Sequence, residues 1–260
     1  MVTRLVTAVS LYGPKTREFG RLLENVQQIC GEHLGQAFRP YALEQIHGTV
    51  IRLDGMAGPA GGPPVNQRWL DRTGTGRAMD LARALDILAA GLTPPVRIQV
   101  GGFAPGAAAA FTSRGQLPCE RMFSAQGKAL VLVGWPVSTV RHGLSQRPLD
   151  DLRHRMADAG VWHWYHDSPQ DIDNDLHLVI GHHDGAPAAD VTGAVGSVRR
   201  LLHRVLRGVE VPVAPHHRAE NLRRQRAQQV LGPGRGHGAL RGPVRRGSRP
   251  PAGHRPRSGR

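Results

Sequence analysis

Two stretches of this chain carry the same order of strand-like and helix-like patterns, and an internal repeat limits the fold before any single motif does. Leu5 to Tyr12 is rich in β-branched and aromatic residues and runs into Gly13-Pro14, a strand followed by a turn. Phe19, Leu22, Leu23, Val26, Ile29 and Cys30 then recur at three- and four-residue intervals, the apolar stripe of a helix ending near Gly31. Ile46 to Leu53 reads as a strand, Met79 to Leu92 as a second helix, and Val96 to Phe103 as a third strand. The second half repeats the order. A strand at Ala129 to Val137 precedes a helix marked by Leu149, Leu152 and Met156 and a strand at Leu176 to Ile180. A helix along Val191, Ala194, Val198, Leu202 and Val205 then leads to a strand at Val209 to Val213. Phe19 precedes His47 by 28 positions, and Leu149 precedes His177 by 28. The expected fold class is α+β, built as two pseudo-symmetric β-α-β-α-β lobes, about 3–104 and about 127–214, with antiparallel-type sheets facing a central groove.

The matching middle strands each hold a histidine, in His47-Gly48-Thr49 and in His177-Leu178-Val179. Side chains alternate along a strand, so His47 and Thr49 share a face with Ile51, and His177 shares one with Val179. If the two lobes oppose those faces, two imidazoles converge on one small volume. A neutral imidazole there removes a proton from an attacking hydroxyl or water, while a protonated one donates to the leaving oxygen. Histidine titrates near pH ~6.5, so both roles are available close to neutrality. The Thr49 hydroxyl can donate to a phosphoryl oxygen as charge develops. A lone histidine in an apolar strand is ordinarily a satisfied core residue, so the weight rests on the matched pair.

Composition separates a body, 1–217, from a tail, 218–260. The tail holds 12 arginines against one acid, Glu220, whereas the body has 22 basic and 19 acidic residues, so most of the +14 net charge belongs to the tail. Lacking Ile, Phe, Tyr, Trp and Met, the tail cannot bury enough apolar surface to offset chain entropy and is expected to be disordered. Three readings of it stay open: an inert solvated tail, an Arg/Gly-rich arm with non-specific affinity for nucleic acid, or a segment translated from a shifted frame of a GC-rich gene. The body is large enough for a core of its own. Its two cysteines, Cys30 and Cys119, make no disulfide framework, and no apolar run is long enough to span a membrane. A cytoplasmic monomer without membrane attachment is expected.

Other residues offer weaker signals. Arg97 and Gln99 share a face of the third strand and could line the groove as a phosphate counter-charge and a base contact, or form a solvated face. Tyr12, Trp164 and Tyr165 could stack a base or pack structurally. His163, His166, His182, His183 and Asp184 include an H-x-x-H spacing. Aromatic packing around Trp162 to His166, and the opposite facing of strand neighbours, argue against zinc, so no metal site is expected. No cofactor is expected either: Gly232 to Gly238 lacks the flanking strand and helix of a phosphate loop.

With IHGTVIRL and DLHLVIG in a duplicated β-α-β frame, the sequence resembles the 2H phosphoesterase superfamily, which includes bacterial 2′-5′ RNA ligases and RNA 2′,3′-cyclic phosphodiesterases. The resemblance covers about residues 3–214 in layout and rests in detail on the two motifs. It implies a two-lobed α+β fold whose groove binds a phosphodiester, with His47, Thr49 and His177 as catalytic residues and no metal. It also implies an RNA end or nucleotide bearing a 2′-linked or 2′,3′-cyclic phosphate as substrate. Val179 departs from the pattern, because the family places a hydroxyl there and valine cannot donate to phosphate. Losing such a donor typically costs about 10² to 10³ in rate. The alternative implied by Val179 is a catalytically weak or inactive nucleotide- or RNA-binding module of the same fold.

Overall fold

A computed structural model describes residues 7–56, 62–105, 112, 114–137, 147–168, 170–205 and 208–213. The chain divides into two compact units, Met1–Asn221 and Leu222–Arg260, and every described residue belongs to the first. The Arg-rich tail and residues 5 and 6 of the first expected strand lie outside the described residues.

The order is β1 (Thr7–Ser10), α1 (Arg17–Leu34), β2 (Phe38–Pro40), β3 (Gly48–Arg52), β4 (Gly55–Met56), β5 (Val65–Asn66), α2 (Gln67–Thr73), α3 (Leu81–Gly91) and β6 (Val96–Val100). It continues with α4 (Pro118–Arg121), β7 (Phe123–Gln126), β8 (Ala129–Pro136), α5 (Pro148–Arg155), β9 (Leu176–His183), α6 (Ala188–Arg204) and β10 (Val209–Val213). The fold is α+β, as expected. All ten elements expected from the sequence are present. The extra elements are two to seven residues long.

Local chemistry sets the helix ends. The Thr16 hydroxyl accepts the Phe19 N–H at 3.3 Å and caps α1. The helix continues past Gly31 because Leu34 is still buried; it stops at Gly35, whose φ of +52° suits glycine. Asp80 caps α3 by accepting the Arg83 N–H. Helix α5 has no such local cap. The N–H groups of its second and third residues, Leu149 and Asp150, instead donate to the buried Asn174 side chain ahead of β9.

The strands form an eight-stranded antiparallel sheet in the order β1-β3-β9-β8-β6-β10, with β2 continuing the β3 side of β9 and β7 the β6 side of β8. Strands of both sequence halves therefore share one sheet, where one sheet per half was expected. β6 lies between β8 and β10, and β3 lies beside β9. Such interleaving gives the inner strands partners on both edges, which leaves fewer open edges than two separate small sheets would. Leu130 and Leu132 of β8, with Leu176, Leu178 and Ile180 of β9, enter the main core alongside Phe19, Leu23 and Val26 of α1 and Val198 and Leu202 of α6. Val131, Val133 and Trp135 point to the other face and form a small cluster with Phe103, Ala129 and Val179.

Gly48 pairs with Leu178 where β3 meets β9. A Cβ on Gly48 would lie 2.4 Å from Cγ of Leu176, so the strands approach this closely only because position 48 carries no side chain. Gly48→Ala is expected to destabilise the fold by about 1–3 kcal/mol, the usual cost of overpacking. Chemical denaturation checks this, and an unchanged midpoint would show that β3 and β9 do not meet here.

Candidate functional site

The antiparallel pairing of Gly48 with Leu178 sets His47 against Val179 and Thr49 against His177, one position to either side. Gly48 and Leu178 face the core, so these four residues face the other way. All four line one pocket of about 500 Å³. Its floor includes Ala129 and Val131, and its walls include Arg52, Trp164, Tyr165, Asp173 and Asp175. The two histidine strands are hydrogen-bonded neighbours, whereas they were expected to oppose each other across a groove. Both imidazoles line the pocket as diagonal cross-strand neighbours, a spacing of about 7–8 Å between backbones.

The two rings are held differently. His47 Nδ1–H donates to the Gln45 carbonyl at 2.7 Å, which leaves its Nε2 with a lone pair. His177 Nε2 lies 3.0 Å from Asp175 Oδ1 and 3.1 Å from an Arg121 guanidinium nitrogen. Arg121 closes the triangle with a 2.8 Å ion pair to Asp175. Asp175 and Arg121 are both buried, so each requires the other's charge.

Beneath this pair lies a continuous buried polar run. Asp173, Asn174 and Asp175 precede β9 and are all buried. Asp173 meets Arg153 at 3.4 Å and receives the His163 Nε2–H at 3.0 Å. Arg153 also donates to the carbonyls of Val50, Thr49 and Asp173, which ties β3 to the segment entering β9. Burial alone would raise the Asp173 carboxyl, but Arg153, His163 and Arg114 outweigh it and hold the group well below the usual range. Burial pushes His163 down to about 3, helped by Arg153 and opposed by its bond to Asp173. Protonation would also place a buried N–H on His163 Nδ1, which has no hydrogen-bond partner.

The other sequence candidates scatter. Arg97 pairs with Glu210 on the neighbouring strand β10 and is not among the pocket residues, because cross-strand register supplies it with a partner. Gln99 donates to the Gly101 carbonyl. Tyr12 is 41% exposed, with its ring 6.0 Å from that of His47 and outside the pocket lining. Trp164 and Tyr165 do line the pocket; the guanidiniums of Arg52 and Arg68 lie over Trp164 and that of Arg114 over Tyr165. Cys30 is a buried core residue whose thiol burial pushes up to about 12. Of the histidines considered for a metal, His182 packs against Tyr41, and His183 meets the Gly127 carbonyl. His166 instead gathers with Asp150 and His154, the one group of potential metal ligands among the described residues.

Sequence reasoning passed over Arg121, Arg153, Asp173 and Asp175. Asp175 carried a legible signal, since it stands two positions before His177, just ahead of the strand. The two arginines carried none, coming from short helices remote in the chain. No protein-family model, curated protein or solved structure matches the chain. No helix among the described residues is long and apolar enough to cross a membrane.

His163 is neutral in the folded protein and takes up a proton in the unfolded chain below pH ~6.5. Its contribution is therefore present above that pH and is lost as pH falls toward 3, at about 1.4 kcal/mol per pH unit. His163→Gln keeps an N–H for Asp173 but does not titrate. Urea unfolding between pH 6 and 4 is expected to show a shallower pH slope in this variant by about that amount; parallel slopes would contradict a neutral buried His163.

Proposed function

We propose that the pocket is a phosphodiester site in which His47 and His177 act as an acid/base pair on an RNA end or nucleotide with a 2′-linked or 2′,3′-cyclic phosphate, in the manner of the 2H phosphoesterases. The observation that carries this reading is the pairing of Gly48 with Leu178, which puts both histidines and Thr49 on one face of one pocket.

The contacts suggest distinct roles. In the neutral ring the lone pair on His47 Nε2 suits a general base, and His177, held by Asp175 and Arg121, is assigned the general acid. In hydrolysis of a cyclic phosphate, His47 takes a proton from water as the new P–O bond forms. One ester P–O bond breaks, its electron pair stays on the leaving ribose oxygen, and that oxygen takes the proton from His177. The product is a phosphomonoester. Thr49 would donate to a non-bridging oxygen in the transition state.

A pseudo-twofold reading of the two halves fits the same picture. Pairing β1, β3 and β6 with β8, β9 and β10 maps the β1·β3 contact onto β8·β9 and leaves β3·β9 and β6·β10 each mapped onto itself, whereas β6·β8 would map onto a β10·β1 pairing that the sheet order lacks. The packing of α1 on α6 then corresponds to that of α5 on α3.

Val179 supports a second reading, a binding module of the same architecture, since it stands across from His47 without a hydroxyl. Turnover of 2′,3′-cyclic nucleotides separates the two. As an enzyme, the protein is expected to lose about 10² to 10⁴ in rate with His47→Ala or His177→Ala. Val179→Thr is expected to raise its rate toward the 10² to 10³ that one such donor is typically worth, about that much at most. Wild-type turnover equal to that of both alanine variants would overturn the enzymatic reading.

A further inference from the structure

A second cluster lies in the same unit and shares no residue with the pocket lining: Asp150, His154 and His166. Pro148 starts α5, and Asp150 and His154 follow four residues apart on one helix face. The segment Trp162 to His166 brings the third member, with the His166 ring stacked on that of His154 at 4.2 Å. Each residue offers one ligand atom, and the three atoms lie within 4.8 Å of one another.

His166 supplies the independent sign of a ligand. It is 3% exposed, and its Nε2 is buried with no hydrogen-bond partner. That nitrogen faces Asp150 Oδ1 at 3.4 Å, beyond the 2.7–3.2 Å of an ordinary N–H···O bond. His154 Nδ1 lies 3.5 Å from the same oxygen. Metal bonds of about 2.0–2.1 Å in a tetrahedron put neighbouring ligand atoms about 3.3–3.4 Å apart, close to both separations. Asp150 Oδ1 also accepts the Asp173 N–H at 2.8 Å, a contact that orients the carboxylate from outside. Arg147 approaches its other oxygen at 3.9 Å. His154 Nδ1 now meets the Asp150 carbonyl at 3.0 Å and would exchange that contact for the metal.

We propose that Asp150, His154 and His166 bind one divalent transition-metal ion of the zinc class. Two imidazoles and a carboxylate favour zinc, cobalt or nickel over calcium or magnesium. Three protein ligands leave one position for water, on the side where the His154 side chain is 34% exposed. The ion would fasten α5 to the segment that carries Trp164 and Tyr165, and so brace two walls of the pocket without entering it.

The test uses the full chain, stripped with a chelator, dialysed and titrated with Co²⁺. A single equivalent is expected to give the intense visible absorption of tetrahedral cobalt, and Zn²⁺ should abolish it. His154→Ala, a partly exposed change with circular dichroism expected to match wild type, should weaken binding by more than about tenfold. His182→Ala with His183→Ala should leave it unchanged, and Zn²⁺ should raise the melting temperature of wild type but not of His154→Ala. Absence of the cobalt spectrum, its survival in His154→Ala, or its loss in the His182/His183 variant would each overturn the site.

Discussion

The fold turns on a single close contact between strands from the two halves of the chain, Gly48 of β3 against Leu178 of β9. Leu176 fills the space a side chain at position 48 would need, so the contact depends on glycine. Because strand alternation has a period of two, this one register sends Gly48 and Leu178 inward and His47, Thr49, His177 and Val179 outward together. A slip by one residue would bury both imidazoles and expose Leu178. Fold and candidate site are thus set by the same geometric fact.

A buried polar layer makes that register durable. Asp173, Asn174 and Asp175 each answer a different need: Asp173 balances Arg153 and receives His163, Asn174 caps α5, and Asp175 balances Arg121 beside His177. Arg153 in turn binds carbonyls of β3. Breaking one partner out of such a network costs more than the pair contributes, because it strands a buried charge. The layer therefore joins the two histidine strands at the pocket wall, and one of its members contacts a catalytic candidate.

Much of this was legible in the sequence, and the limits are physical. The ten expected elements appeared because apolar periodicity reports burial, and the equal spacing of His47 and His177 from their helices led to the expectation of a repeat. What strand alternation cannot report is the partner strand. Arg97 looked like a groove residue until β10 supplied Glu210, and the two histidine strands looked opposed when they are neighbours. Arg121 and Arg153 were hidden because their roles exist only through residues far away in sequence. Asp150 and His154 were visible as a helical pair only once the bounds of α5 were known, and His166 joined them by the path of the chain.

The central claim is that His47 and His177 address one phosphate. Long-range ¹H–¹⁵N spectra of the imidazole nitrogens, followed as a nucleoside 2′-monophosphate is added, measure it directly. The account predicts that both rings shift with the same half-saturation concentration while His33 and His182 do not move. A response from only one of the two, or from neither, would contradict it.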